Sequence, residues 1–176
     1  MVRHGQYDLE TGQLTPLGQE QAATVAKALR GVELSAFHCS ALPRARETAA
    51  ILKKALRSRL KIRFSPMLRE ALPTPVPGLT ERSDIPELRK NLARMQRAHA
   101  RLARPARGHR TELVVAHGNL IRMLVSLGLE LKPVTWLKMN IHNCSVTILF
   151  VKDNGKQILG SFNETGHLPR KMRTTG

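Results

Sequence analysis

Apolar residues recur along this chain at two different spacings, and the spacing alternates between them. Four segments carry apolar residues every three or four positions, the pattern of a helix with one buried face, and these are residues 16–30, 45–59, 86–103 and 120–129. Short apolar runs of strand length occur at residues 34–39, 60–64, 112–116, 145–151 and 156–162. The alternation predicts one α/β domain over residues 1–176.

Cap and turn residues support these boundaries. Thr15 followed by Pro16 is typical of a helix start, and Gly31 lies where that helix should end. The sequence Asp153-Asn154-Gly155 predicts a tight turn between the last two strands, whereas the proline-rich stretch 66–78 predicts a loop. We therefore expect a three-layer α/β/α sandwich whose sheet is mostly parallel and has an antiparallel edge.

Two histidine-glycine pairs follow apolar runs. His4 comes directly after Arg3 near the start of the chain, and His117 ends the strand predicted at 112–116. Ligands of open α/β sheets bind beyond the carboxyl ends of the parallel strands, so both side chains are expected in one crevice. A guanidinium binds phosphate in a bidentate manner, and a neighbouring imidazole can attack phosphorus. The pattern predicts a site for phosphoryl transfer.

Each role in the hydrolysis of a phosphate ester has a candidate residue. Arg3 and Arg44 are candidates for binding the phosphoryl group, and His4 for attacking it. His117 is a candidate for binding a further oxygen, and Glu70 for protonating the leaving group. Taken singly, each is more often a structural histidine or a solvated charge, but the combination at three strand ends favours catalysis. We expect neither a metal ion nor another cofactor.

The chain is strongly basic, with 29 Lys and Arg against 13 Asp and Glu and a formal net charge of +16. Such a charge favours acidic partners, among which phosphorylated substrates, nucleic acid and anionic membranes all qualify. Aromatic residues make up 3% of the chain, so platforms for base stacking are scarce and no specific nucleic-acid binding is expected. We expect the arginines around helix 86–103 to steer anionic substrates.

Membrane and compartment expectations follow from apolar length and from the cysteines. No run approaches the roughly eighteen apolar residues of a membrane-spanning helix, so we expect no membrane partner. Cys39 and Cys144 have neither zinc-site spacing nor the density of a disulfide framework. We expect both to be reduced and buried, and the protein to be cytoplasmic.

Several motifs, met in order along nearly the whole chain, together resemble the histidine phosphatase superfamily, which has the phosphoglycerate-mutase-like fold. These motifs are Arg3-His4-Gly5, Leu14 to Gly18, Ser40 through Arg44-Ala45 to Thr48-Ala49, Leu68-Arg69-Glu70 and Val115 to Asn119. Further positions are similar to the branch that contains a mitochondrial phosphoglycerate-mutase-like Ser/Thr protein phosphatase. They are Leu68 to Ala71 with the proline-rich loop that follows, Trp136-Leu137, Asn143, Ser145 to Thr147 and Thr165 to Pro169.

The resemblance implies a mechanism and assigns residues to it. It implies that His4 becomes a phosphohistidine, that Arg3, Arg44 and His117 form the phosphate pocket, and that Glu70 is first the general acid and then activates water. Gln6 and Asn119, which flank the motifs, are added as candidates for binding substrate. Packing behind the site is the alternative role for both.

The start of the chain departs from the family pattern. A buried strand of several residues precedes the arginine-histidine pair in this family, whereas Met1 and Val2 alone precede it here. We therefore expect the first strand to be largely missing, at a cost of roughly several kcal/mol in unpaired backbone groups. An apolar extension upstream would then restore stability and activity.

These observations favour a metal-independent phosphomonoester phosphatase that acts on phosphoprotein at Ser or Thr. The connection between Glu70 and the basic helix is short, whereas mutases of this family carry a longer capping insertion. Three alternatives stay open: a phosphatase of small phosphorylated metabolites, a phosphatase of protein phosphohistidine, and a catalytically impaired basic binding module. A homodimer is the candidate oligomeric state.

Overall fold

The computed structural model describes residues 1–106 and 108–175, which form one six-stranded sheet covered by helices on both faces. The strands are β1 (Val2–Arg3), β2 (Ala36–Ser40), β3 (Ile62–Ser65), β4 (Glu112–Ala116), β5 (Val146–Val151) and β6 (Gln157–Glu164). Their order is β3-β2-β4-β1-β5-β6. The first four in that order are parallel, and β5 and β6 pair antiparallel at one edge. The predicted mixed sheet is confirmed.

Within the described residues, four helices complete the three layers: α1 (Pro16–Ala28), α2 (Pro43–Ala55), α3 (Ile85–Leu102) and α4 (Gly118–Gly128). Alternate side chains of β4 point to opposite faces of the sheet, as the pleat of a strand requires. Leu113 and Val115 pack with buried residues of α1 and α2, whereas Val114 and Ala116 pack with those of α3 and α4. The buried strand therefore holds two apolar cores together.

The helices and strands lie close to the predicted positions. Their ends show which local sequence signals determine where a helix begins or ends. The Thr15 hydroxyl accepts a hydrogen bond from the Gly18 N–H at 3.1 Å and so begins α1. Pro43 occupies the first turn of α2, which starts two residues before the predicted residue 45. Arg57, with φ of 51°, follows the end of the same helix at Ala55. Short 3-10 turns, which periodicity does not reveal, cover Pro66–Leu68, Arg82–Asp84, Pro133–Lys138 and Arg170–Met172.

β1 is two residues long, as the sequence predicts, yet it lies in the middle of the sheet with neighbours on both sides. Toward β4, the His4 N–H donates to the Ala116 carbonyl at 3.0 Å. Toward β5, the Arg3 carbonyl accepts from Cys144 N–H at 3.0 Å, and the Met1 carbonyl accepts from Thr147 N–H at 2.9 Å. Backbone pairing thus extends beyond β1 at both ends, so these backbone groups have partners, although so short a strand leads us to expect unpaired ones.

Two further expectations concern the cysteines and membrane-spanning helices. Cys39 and Cys144 are free and buried, as predicted, and burial raises the pKa of the Cys39 thiol to about 12. Both thiols are therefore poor nucleophiles at neutral pH. Among the residues that the structure describes, no helix combines the length and the apolar character needed to cross a membrane.

Candidate active site

A cavity of about 270 Å³ opens beyond the carboxyl ends of β1, β2 and β4. The residues that line it are Arg3, His4, Tyr7, Arg44, Glu70, Gly118, Asn119, Arg122, Asn140, Ile141 and Thr175. His4 at the base is 2% exposed, whereas Asn140 and Thr175 are exposed side chains at the rim. Because parallel strands end at the same edge of the sheet, the fold alone brings the two histidine motifs together.

His4 presents one ring nitrogen to this cavity as an electron-pair donor. Its Nδ1 lies 2.7 Å from the Gly5 carbonyl oxygen, which can only accept, so Nδ1 carries the proton. Its Nε2 therefore keeps the lone pair, and Arg44 Nε donates to that nitrogen at 3.1 Å. Burial lowers the pKa of His4 to about 3, and the charges of Arg3 and Arg44 act in the same direction. The imidazole is neutral at physiological pH, the state that a nucleophile needs.

The backbone around His4 is fixed by close contacts. Thr48 Oγ1 accepts a hydrogen bond from the Gly5 N–H at 3.1 Å, and the Asn143 side-chain amide donates to the His4 carbonyl at 3.1 Å. A Cβ on Gly5 would lie 2.4 Å from the Gly18 carbonyl oxygen, and a Cβ on Gly18 would lie 1.9 Å from that of Gln6. Glycine is required at both positions because the first turn of α1 touches the chain just after His4.

His117 lies fully buried beneath the cavity, with its ring centroid 5.0 Å from that of His4. Its Nε2 is 2.7 Å from Ser40 Oγ, which accepts the Leu42 N–H at 3.3 Å and can give its own proton to the ring. This arrangement places the imidazole proton on Nδ1, which faces Glu70 Oε2 at 3.9 Å. Burial is the main cause that lowers the pKa of His117, so the ring is a neutral donor for a phosphate oxygen.

Glu70 lines the same cavity as His4 and lies two residues after the Pro66–Leu68 turn. Its Oε1 accepts a hydrogen bond from the Asn119 N–H at 3.1 Å. Its Oε2 is buried and has no hydrogen-bond partner within residues 1–106 and 108–175. Burial raises the pKa of Glu70 to about 7, although the Asn119 N–H and three arginines oppose the rise. A carboxyl group that is half-protonated at neutral pH can both give and take a proton.

Three arginines supply the positive charge of the cavity. Arg3 Nη1 donates to the Ile141 carbonyl at 2.6 Å, and the guanidinium of Arg44 lies 4.3 Å above the ring of Tyr7. Arg122 donates to the Met139 carbonyl at 2.9 Å. Within the described residues, no cluster of three or more His, Cys, Asp or Glu is arranged to hold a metal ion.

The structure brings nearly all of the predicted residues together. His4, Arg3, Arg44 and Glu70 line the cavity, Asn119 lies in its wall, and His117 supports its base. Gln6 is not among the residues that line the cavity, and its role in substrate binding stays a prediction. Its side-chain oxygen accepts from the Thr15 hydroxyl at 2.9 Å, because the residue lies against the start of α1.

Sequence reasoning missed Arg122 and Tyr7. A signal for Arg122 exists, since it is the one charged residue in the apolar helix α4 and lies three residues after Asn119. That spacing puts both side chains on the helix face that meets the cavity. Tyr7 stands in a loop, where its contacts to His4 and Arg44 depend on the tertiary fold.

Comparison with known proteins agrees with this geometry. A relative from Caenorhabditis elegans, named serine/threonine-protein phosphatase Pgam5, mitochondrial, is 36% identical over 179 residues, which are 96% of this chain and 63% of the relative. The human protein of the same name is 29% identical over 182 residues, with the same coverage. A crystal structure of phosphoglycerate mutase from Plasmodium falciparum matches with a TM-score of 0.68 and 26% identity, over 96% of this chain and 91% of the other.

These findings correct one expectation and confirm another. The relatives carry mitochondrial names, so the cytoplasmic location expected from the cysteines is wrong; reduced, buried thiols do not distinguish these compartments. The chain spans about 63% of the length of these curated relatives. The model of the histidine phosphatase superfamily (branch 1) matches residues 1–93 and 79–164. Together with the convergence of His4, Arg44 and Glu70 in one cavity above His117, this match shows that the chain belongs to the histidine phosphatase superfamily.

Proposed function

We propose that this protein is a metal-independent phosphomonoester phosphatase that acts through a phosphohistidine on His4. The proposal depends on the protonation states of two groups that face one cavity. His4 Nε2 holds an unprotonated electron pair that accepts a hydrogen bond from Arg44, and Glu70 has a pKa of about 7. One is prepared to attack phosphorus and the other to protonate the oxygen that leaves.

In the first step, His4 Nε2 attacks the phosphorus and the bond to the ester oxygen breaks. Glu70 transfers its proton to that oxygen, so the alcohol leaves neutral and Glu70 becomes a carboxylate. Arg3, Arg44 and the Nδ1–H of His117 bind the phosphoryl oxygens and stabilise the charge that spreads over them. Three arginines around the cavity supply charge that a metal ion supplies in other phosphatases.

In the second step, water attacks the phosphorus of the phosphohistidine. The Glu70 carboxylate takes a proton from that water, the bond to His4 Nε2 breaks, and inorganic phosphate leaves. The lone pair returns to Nε2 and the proton to Glu70, so the enzyme is restored. The hydrogen bond that Glu70 accepts from the Asn119 N–H holds the carboxyl group in place through both transfers.

A phosphorylated Ser or Thr of a protein is the substrate that we propose. Exposed side chains form the rim of the cavity, and 14 residues separate Glu70 from α3. A phosphorylated side chain can therefore enter from a protein surface. The names of the relatives support both phosphatase activity and this substrate class, and they favour a mitochondrial location.

Hydrolysis of p-nitrophenyl phosphate and of phosphoserine peptides in the presence of a chelator tests the activity. We expect turnover without added metal. Brief reaction with ³²P-labelled substrate should label the protein on a nitrogen, in a bond labile to acid and stable to base. His4→Ala should lose both label and turnover, whereas His109→Ala, a change at an exposed histidine, should keep both.

Two outcomes would contradict the proposal. Near-normal turnover of His4→Ala would exclude His4 as the nucleophile. Nucleic acid or an acidic protein bound by a chain that hydrolyses no phosphate ester would instead favour the basic binding module.

A further inference from the structure

Arg94 lies on α3, but its side chain contacts the segment that leads to Glu70. It is half-buried, whereas the other arginines of α3 are exposed. Its Nη1 donates one hydrogen bond of 2.8 Å to the Met67 carbonyl and another of 2.8 Å to the Arg69 carbonyl. Arg94 is not among the described residues that line the cavity. It therefore contacts the chain that carries Glu70 from outside the cavity wall.

The two acceptors of Arg94 stand immediately before Glu70 in the chain. The Arg69 carbonyl is part of the peptide group that joins Arg69 to Glu70. Because this group is planar, a hydrogen bond to its oxygen also fixes the direction of the Glu70 backbone. The Met67 carbonyl belongs to the Pro66–Leu68 turn, whose Leu68 side chain is buried in the core cluster that α3 and α4 share. One nitrogen of Arg94 thus ties the Glu70 backbone to a turn that the core holds.

Glu70 depends on such ties because it lies outside the helices and strands of the described structure. Its carboxyl group accepts a hydrogen bond from the Asn119 N–H at 3.1 Å, which holds the oxygen end of the side chain. Rotatable bonds separate that end from the backbone, so the backbone needs its own support. Arg94 supplies it from α3, and Asn119 holds the oxygen from α4. A misplacement of about 1 Å in a catalytic group can lower the rate by about a hundredfold.

The charge of Arg94 strengthens these contacts. Hydrogen bonds from an ionised donor are roughly twice as strong as those between neutral groups. Burial lowers the pKa of Arg94, and the charge of Glu70 opposes that shift. The guanidinium therefore lies within electrostatic reach of the same residue whose backbone it holds.

Resting on the proposed function, we propose that Arg94 is a positioning residue for the general acid, because it holds the Glu70 backbone where the carboxyl group can protonate the leaving oxygen. The arginines of α3 then divide into two groups. The exposed ones contribute to the field that steers anionic substrates, whereas Arg94 serves proton transfer. Replacing Arg94 should impair proton transfer more than it impairs attack by His4.

The test compares two phosphate esters that differ in their need for an acid. The serine of a phosphoserine peptide needs a proton to leave, whereas p-nitrophenol leaves as an anion. We expect Arg94→Gln to lower kcat/KM by about tenfold for the peptide and by about twofold or less for p-nitrophenyl phosphate. The loss is smaller than the roughly 10²- to 10⁴-fold of a whole general acid because the Asn119 hydrogen bond remains.

The ratio of the two kcat/KM values separates positioning from a general structural role. Both values are measured on one preparation, so a partly unfolded variant lowers them equally and leaves the ratio unchanged. Arg94→Lys keeps a charged donor and should restore part of the ratio. Arg89→Gln removes the same charge from the exposed face of α3 and should leave the ratio at its wild-type value.

A double variant tests whether Arg94 acts through Glu70. In Glu70→Gln the acid is already absent, so adding Arg94→Gln should not change the ratio of the two kcat/KM values further. Contacting groups that act as one unit show such non-additivity, whereas independent sites add.

Three results would overturn the inference. They are equal losses on both substrates in Arg94→Gln, the same change of ratio in Arg89→Gln, and a full further change when Arg94→Gln is added to Glu70→Gln. In each of them the wild type still hydrolyses phosphate esters, so the proposed function stands. A wild type that hydrolyses neither substrate refutes the proposed function itself.

Discussion

Replacing Glu70 with glutamine should lower activity and raise stability, and the two effects have one cause. The carboxyl group is 24% exposed as a side chain, its Oε2 is buried, and its pKa rises from the usual 4.5 to about 7. A pKa raised by folding means that the folded protein binds this proton more tightly than the unfolded chain. The ionised group therefore destabilises the fold as pH rises through and above 4.5, and the cost levels off once pH exceeds about 7.

The magnitude follows from these two values. At 1.36 kcal/mol per pKa step, the interval from 4.5 to about 7 corresponds to about 3 kcal/mol at pH 8. Near pH 5 the folded group is still protonated, and the cost falls to about 1 kcal/mol or less. Glutamine keeps an oxygen for the Asn119 N–H but stays neutral. For a chain of this size, Glu70→Gln should raise Tm by up to roughly 6–12 °C at pH 8 and much less at pH 5.

Activity should change in the opposite direction. Loss of a general acid costs about 10²- to 10⁴-fold on a serine leaving group, which needs the proton, and less on p-nitrophenol, which leaves as an anion. In the wild type, kcat/KM for phosphoserine peptides should fall above about pH 7, where free Glu70 loses its proton. Thermal unfolding at both pH values and kinetics with both substrates provide the measurements. Equal rate losses on the two substrates, or a Tm that does not rise at pH 8, would refute the assignment.

Three further changes test the structure around the site. Gly18→Ala should lower the free energy of unfolding by about 1–3 kcal/mol, because the new Cβ would lie 1.9 Å from the Gln6 carbonyl oxygen. In the control Gly166→Ala the new Cβ meets only the flexible end of an exposed glutamate side chain, so this variant should unfold at the wild-type temperature. Thr48→Val leaves the buried Gly5 N–H without its acceptor and should cost about 1–3 kcal/mol by denaturant unfolding, and Thr48→Ser should keep most of that stability. The basic face of α3 should bind DNA weakly, and in a binding titration the affinity should fall roughly a hundredfold or more between about 50 and 200 mM salt. Salt-resistant, sequence-selective binding would contradict the role of this face in steering anionic substrates.

The sequence predicts the layers and most of the site because those features depend on local patterns. β2 and β4, which end at Ser40 and Ala116, are apolar runs of strand length, and the rule for parallel sheets places the residues at their ends together. Glu70 could be identified as a site residue only through the family motif, because it lies in a loop with no periodic pattern of its own. The pairing of β1 could not be read from two residues, because its hydrogen bonds go to β4 and β5, more than a hundred residues away.

Burial shifts the pKa of the histidines and of the carboxyl group in this site in opposite directions, and these shifts explain why the groups take opposite roles in proton transfer. Removing water disfavours the charged form of every group, which lowers the pKa of both His4 and His117 but raises that of Glu70. At neutral pH both imidazoles are uncharged, and the Glu70 carboxyl group keeps its proton in about half of the molecules. Arginine stays charged under the same conditions because its ordinary pKa is so high. Burial therefore favours the protonation state from which attack on a phosphate dianion begins. A bound dianion adds negative charge near Glu70 and so holds the proton there until the ester bond breaks.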